Sequence, residues 1–128
     1  MEDRYLFKAK HFKEWHIGNI VKEPDGLYIR DIKGNAMAYI DNESTICQCT
    51  GLKDKNGNLI WENDIMVAHL DEDYPEDETY KRILWCGNGF CSIENGSKDI
   101  APIDKFDREY FEVCGNIFDN PELLESEG

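Results

Sequence analysis

Short runs of alternating apolar and polar residues dominate this chain, and glycine or asparagine separates one run from the next. Residues 26–32 alternate in the manner of a half-buried strand, and Gly34 with Asn35 is a turn signal that leads into a second strand at 36–40. Helical periodicity is not sustained anywhere for long. The pattern therefore predicts a mainly β fold, with a β-rich α+β fold as the alternative.

The tightest hairpin signal is the pair Asn56 and Gly57, which lies between apolar-patterned flanks at 49–53 and 58–61. Asn-Gly readily takes positive φ at both central positions of a type I′ turn, so we expect that turn here. A polar break at 62–64 follows. The apolar stretch at 65–70 then predicts a strand that is buried on both faces.

The second half of the chain begins with six carboxylates in the eight residues 71–78, and one of the other two residues is a proline. Mutual repulsion and the proline disfavour both helix and strand, so this segment is expected to be a mobile loop. Strands are expected at 79–85, 90–93 and 112–118, and 103–107 suits a single helical turn. Asn120 is an N-cap and Pro121 fits the first helical position, so a short helix should begin at 121–124, before a frayed tail at 125–128.

A chain of 128 residues is long enough for one domain with its own core. We expect an N-terminal β segment at 1–44, a small SH3-like barrel of about five strands at 45–118, and a short helix and tail at 119–128. The apolar runs are far too short to span a membrane, and the first residues lack the pattern of a secretory signal. The expected location is the cytoplasm.

Charge is unevenly distributed along the sequence. Residues 1–70 carry 9 basic and 11 acidic side chains, a net of −2, whereas residues 71–128 carry 5 and 16, a net of −11; the whole chain has −13. Because affinity for nucleic acid comes largely from lysine and arginine, direct binding of DNA or RNA is disfavoured. A locally basic face remains an alternative, built from Lys8, Lys10, Lys13, Lys53 and Lys55. Solubility is the simpler explanation of the acidity.

The sequence offers no recognisable metal or catalytic motif. Its five cysteines are not spaced as zinc ligands, and as unpaired thiols of a cytosolic protein they are expected to fill the core. The three histidines, His11, His16 and His69, have no nucleophile motif beside them. A calcium loop starting at Asp54 fails because its glycine falls fourth instead of sixth. We therefore predict no catalytic residue, no metal and no cofactor.

Three blocks of residues carry a family resemblance. They are Trp15 and Gly18; then Thr45, Gln48, Thr50, Gly51, Leu52, Asp54, Asn56, Gly57, Ile60, Glu62, Asp64 and Ile65; and finally Gly115, Asn116, Ile117, Asn120, Pro121, Glu122, Leu123 and Leu124. In these blocks the chain closely resembles the YopX family of bacteriophage and prophage proteins. It departs from the family at Asn63, where a glycine is usual, and at Cys114, where an aliphatic residue is usual. Because asparagine tolerates left-handed backbone, the turn at Asn63 should be kept.

Most of the matched residues have a structural explanation as turn or core residues, but five polar ones do not: Gln48, Thr50, Asp54, Glu62 and Asp64. They either satisfy buried backbone groups around the turns or line a shared binding surface.

The YopX family has no established activity. The lack of a catalytic constellation, a metal pattern and a basic surface, in a chain that resembles a phage family, favours a non-enzymatic phage accessory protein that binds a host or phage protein in the bacterial cytoplasm. A homo-oligomer would protect its edge strands. One alternative is an acidic DNA mimic that inhibits a host nuclease or DNA-binding protein. Another is a small metal-dependent hydrolase or nuclease that uses Asp54, Glu62 and Asp64.

Overall fold

The computed structural model describes residues 5–124 and shows a mainly β protein, as the sequence predicts. The chain divides after Gly51 into two compact units. The helical segments are α1 (Lys105–Tyr110) and two 3-10 helices at Glu43–Thr45 and Pro121–Leu124. The strands are β1 (Phe7–His11), β2 (Glu14–Glu23), β3 (Gly26–Asp31), β4 (Met37–Tyr39), β5 (Cys47–Lys53), β6 (Leu59–Trp61), β7 (Asp64–Ala68), β8 (Thr79–Trp85), β9 (Phe90–Glu94), β10 (Ile100–Pro102) and β11 (Glu112–Asn116).

The first unit is built on an antiparallel sheet with the strand order β4-β3-β2-β1-β5. The last two residues of β5 belong to the second unit, and β6, which is next to β5 in the same sheet, also belongs to the second unit. Ala9, Ile29 and Ile40 are fully or almost fully buried and form the core of this unit. Gly18 lies where β2 and β3 approach each other closely, and a side chain there would collide with the Arg30 carbonyl. This contact explains the glycine of the first matched block.

The second unit contains a five-stranded antiparallel sheet with the order β10-β9-β8-β7-β11. Its core includes Met66, Ile83 and Phe111. The short helix α1 is fixed to the sheet by Asp107, a buried carboxylate 2.6 Å from the Lys81 ammonium. The same carboxylate accepts a bond from the Asp104 backbone N–H and so closes a capping box at the start of α1.

The Asn56–Gly57 hairpin is confirmed, but the predicted type I′ turn is wrong, because only Gly57 has positive φ (83°). The Gly57 N–H donates to the Asp54 carbonyl at 3.1 Å, and the Asp54 N–H donates to the Asn58 carbonyl at 2.9 Å. These bonds define a three-residue loop with a left-handed glycine at its end. Aspartate is favoured at the first position of the tight turn within such a loop. The Asp54 side chain accepts the Asn56 and Asn58 N–H groups and so favours this turn.

Most other predicted elements are present. All five residues of β7 are buried, β8 has the predicted bounds, and residues 71–78 are exposed and lack regular structure. Asn63 takes φ of 71°, which confirms that asparagine keeps the turn. The predicted helical turn at 103–107 is a longer helix that begins at Lys105, and the predicted tail at 125–128 lies outside the described residues.

Two further predictions differ in detail from what is seen. β11 ends at Asn116, short of the predicted 118, because the Asn116 side chain accepts bonds from the Phe118 and Asp119 N–H groups and turns the chain. Over residues 5–124 both sheets are open, so the SH3-like barrel is not confirmed.

Candidate functional site

Gln48 and Thr50 lie side by side on one face of β5, in the first unit. Both are half-buried, whereas Cys47 and Cys49, on the opposite face of the strand, are buried. Each of the two polar residues has interactions of its own within the structure. The alternation of the strand therefore places this polar pair together.

Asp54 lies at the start of the hairpin turn in the second unit, and its side chain is only 6% exposed. One carboxylate oxygen accepts the backbone N–H groups of Asn56 and Asn58, both at 2.9 Å. The other accepts the Val113 N–H at 2.8 Å. Both oxygens are thus bonded to backbone, and the carboxylate ties the turn to β11.

Asp64 and Glu62 flank the left-handed Asn63, in the turn between β6 and β7. Asp64 is 2% exposed and accepts the Trp61 N–H at 2.8 Å, while Glu62 is half-buried. The three acids therefore belong to the second unit, whereas Gln48 and Thr50 belong to the first. Asp54 and Asp64 each satisfy backbone donors at a turn, which is the role of short acids at such positions.

The cysteines are all free thiols. Cys47, Cys49 and Cys91 are buried, as expected of core residues, but Cys86 is half-buried and Cys114 is exposed, so the expectation is wrong for those two. Burial of its sulfur raises the pKa of Cys114 to about 11, helped by the nearby charge of Glu112. Between residues 5 and 124, no three histidine, cysteine or acidic side chains are grouped to hold a metal ion.

A cleft in the first unit brings together two histidines that the sequence analysis left without a role. It has a volume of about 430 Å³ and is lined by His11, His16, Asp31, Lys33, Gly34, Ala36, Met37, Ala38 and Tyr39. The two imidazole centroids are 6.3 Å apart. His16 faces Ala9 across the β1–β2 ladder, two positions from His11, so only the register of that hairpin could have revealed the pair.

The hydrogen bonds of the cleft fix both imidazole rings. His16 Nδ1 donates to the Asp31 carboxylate at 3.0 Å, and His11 Nδ1 donates to the Tyr39 carbonyl at 2.8 Å. The backbone N–H of Lys33 and the His16 imidazole together lower the pKa of Asp31. His16 Nε2 is shielded from solvent and has no hydrogen-bond partner within the described part of the chain. In a neutral ring whose Nδ1 carries the proton, this buried nitrogen carries the lone pair.

The second unit exposes three large apolar side chains within residues 100–110, Ile100 of β10 and Phe106 and Tyr110 of α1, and we call these three residues the apolar surface. These side chains are 52%, 45% and 52% exposed, and the two aromatic rings are stacked with centroids 4.6 Å apart. Ile100 belongs to β10, the strand at one edge of the sheet, and all three residues of β10 are exposed. Large apolar side chains at a sheet edge are typical of contact surfaces.

The comparison with solved structures supports the fold. The chain is similar to the crystal structure of protein EF1440 from Enterococcus faecalis, with a TM-score of 0.55 and 24% identity over 93% of this chain and 96% of that one. At this identity the likeness extends to the fold alone. No curated protein matches the sequence. Among the described residues, no helix is long and apolar enough to cross a membrane.

The comparison with protein families covers nearly the whole chain. The family described as YopX protein matches residues 8–125, a range that includes all three blocks on which the sequence resemblance rests. The chain therefore belongs to the YopX family.

Proposed function

We propose that this protein is a non-enzymatic accessory protein of a phage or prophage, and that it works in the cytoplasm of the bacterial host by binding a protein. Its first partner is a second copy of the same chain, and its further partner is a phage or host protein. The observation that carries the proposal is the apolar surface of Ile100, Phe106 and Tyr110.

The apolar surface contrasts with the polar composition of the chain. The protein has a net charge of −13, a mean hydropathy of −0.63 and 32% charged residues, yet eleven consecutive residues expose an isoleucine and two aromatic rings. Phenylalanine and tyrosine are enriched at protein interfaces, and burying them contributes more binding energy than most side chains do. A protein partner removes this area from water, whereas a small polar ligand does not.

The edge strand β10 supports a second copy as the partner. Among residues 5–124, β10 pairs only with β9, and none of its three residues is charged. Its outer side presents the Ile100 N–H and the carbonyls of Ile100 and Pro102 to another strand, while Pro102 has no N–H to donate. Two copies related by a two-fold axis would pair β10 with β10 and place the same aromatic side chains on both sides of the axis.

The structure offers little support for the hydrolase alternative. Both Asp54 oxygens and one Asp64 oxygen accept backbone N–H groups, so these acids are already engaged in turns. If the alternative were correct, isothermal titration with Mg²⁺ or Mn²⁺ would show a saturable site that is lost in Asp64→Asn. We expect no such site.

The DNA mimic remains a second candidate, because all eight residues of the acidic segment 71–78 are exposed. Neutralising Glu76, Asp77 and Glu78 together should then weaken capture of a DNA-binding protein and reduce its dependence on salt. Unchanged affinity would remove this candidate.

The test of self-association is sedimentation velocity over a range of protein concentrations. The wild type should sediment as an oligomer, and Phe106→Glu should weaken association about tenfold or more, because a charge would then be buried at the interface. Tyr74→Glu is the matched control: Tyr74 is an aromatic residue of the acidic loop, 58% exposed, and its substitution should change nothing. A wild type that stays monomeric, or a Phe106→Glu variant that associates normally, would contradict self-association through this surface.

A further inference from the structure

The second unit contains a basic pocket, which is notable in a chain with 14 basic and 27 acidic residues. The pocket has a volume of about 560 Å³ and is lined by Lys53, Asp54, Lys55, Lys105, Arg108 and Glu109. Four of these six side chains are cationic. We propose that this pocket binds a small anion that carries a phosphoryl group, independently of the protein partner proposed above.

The two carboxylates of the pocket offset only part of its positive charge. Asp54 is buried, and both of its oxygens accept backbone N–H groups. Glu109 lies 3.6 Å from Lys105, one helical turn away in α1. Lys53, Lys55 and Arg108 form no ion pair within the part of the chain that the structure describes. The six lining side chains, four cationic and two anionic, therefore leave the pocket with a net charge of +2.

Hydrogen bonds fix the spacing of the two segments that carry these exposed cationic side chains. The hairpin turn that carries Lys55 is bonded to the segment just after α1 at three points. The Lys55 N–H donates to the Phe111 carbonyl at 3.2 Å, the Asn56 side chain donates to Glu112 at 2.6 Å, and the Val113 N–H donates to Asp54 at 2.8 Å. Because of these bonds, the turn and the helix that carries Arg108 keep their spacing without a ligand, which lowers the entropic cost of binding.

The chemistry of the three cations selects the ligand. Like charges that share a pocket repel one another, and a bound anion removes that repulsion. Arginine presents a planar fork that matches two oxygens of a phosphate, while lysines act as point charges that tolerate several geometries. The volume lies within the range of small-ligand sites, roughly 300–1,000 Å³. All the described residues that line the pocket are charged, so charge rather than hydrophobic contact determines what binds.

The experiment is a calorimetric titration of the whole chain with inorganic triphosphate, with sulfate and chloride as comparison anions. We expect one saturable site for triphosphate, and the affinity of this site should be at least about tenfold weaker in Arg108→Ala. Lys98→Ala is the matched control and should bind as the wild type does, because Lys98 is an exposed lysine of the same unit outside the pocket. Arg108→Lys keeps the charge but loses the fork, and it should weaken triphosphate binding as well. A thermal scan of each variant shows that it remains folded.

Titration with a nucleoside triphosphate separates the two sources of the phosphoryl group. Tighter binding than inorganic triphosphate assigns a nucleotide, and equal binding assigns a free phosphate or polyphosphate; both support the pocket. Three outcomes would overturn it: no saturable binding, equal affinity for sulfate and triphosphate, or affinity unchanged in both Arg108 variants.

Discussion

Replacing Asp54 with alanine tests the structural role of the most heavily bonded residue among the five polar ones. The substitution removes three hydrogen bonds from backbone N–H groups, those of Asn56, Asn58 and Val113. A bond to a charged group contributes about 1.5–3 kcal/mol when it is shielded from water. Val113 is half-buried, whereas Asn56 and Asn58 are exposed and can be rehydrated.

Counting the Val113 bond in full and each exposed bond at about 0.5 kcal/mol gives a loss of about 2.5–4 kcal/mol in the free energy of unfolding. Urea denaturation should show a lower midpoint with an unchanged slope, since the surface exposed on unfolding stays the same. Asp54→Asn should fall between wild type and alanine, because it keeps one acceptor oxygen but turns an amide toward the Val113 N–H. Asp77→Ala is the control: it removes the same charge from an exposed loop and should cost under about 0.5 kcal/mol. A loss that small for Asp54→Ala would refute a structural role for this carboxylate.

Three further predictions concern the two units. Folding lowers the pKa of Asp31 below its usual 3.8, so the stabilising effect of this carboxylate is present above that pH and is lost as the pH falls through the lowered pKa. On acidification, the free energy of unfolding of Asp31→Asn should therefore fall less steeply than that of the wild type. An equal slope in the two proteins would contradict this. The raised pKa of Cys114 lowers its thiolate fraction about 100-fold at pH 8, and the higher intrinsic nucleophilicity of such a thiolate offsets part of this loss. Alkylation of Cys114, measured by mass spectrometry, should therefore be about tenfold slower than alkylation of free cysteine. Gly18→Ala should lower the free energy of unfolding by about 1–3 kcal/mol or more, because the added methyl group would collide with the neighbouring strand. Gly34→Ala is the control, since there is open space around Gly34. Equal thermal midpoints of the two variants would exclude the close approach at Gly18.

The sequence predicted the elements that have strong local signals. The strand at 79–85 and the buried strand β7 follow from their apolar patterns, and the left-handed turn at Asn63 follows from the tolerance of asparagine. The bounds of β1, β2 and β10 were not predicted. β10 has only three residues, all exposed, and its pairing with β9 is what makes it a strand. Pairing with a distant strand leaves no pattern in the sequence of residues 100–102, so the sequence of this segment does not predict β10.

The candidate sites were less accessible from sequence than the fold. Asp54 was identified as a notable polar residue, but its bond to the Val113 N–H joins residues 59 positions apart. The histidine cleft depends on the register between β1 and β2, and the basic pocket depends on where α1 packs beside the hairpin turn. The sequence offers Lys53 and Lys55 only as members of a possible basic face. The structure places them in one pocket with Lys105 and Arg108.

Amide hydrogen exchange of residues 100–110 at low and high protein concentration tests the central proposal most directly. If two copies pair through β10 and α1, the outward-facing N–H group of Ile100 should become more protected as concentration rises, while the N–H groups of the exposed loop 71–78 stay unchanged. Protection at 100–110 that is independent of concentration would contradict self-association through this surface.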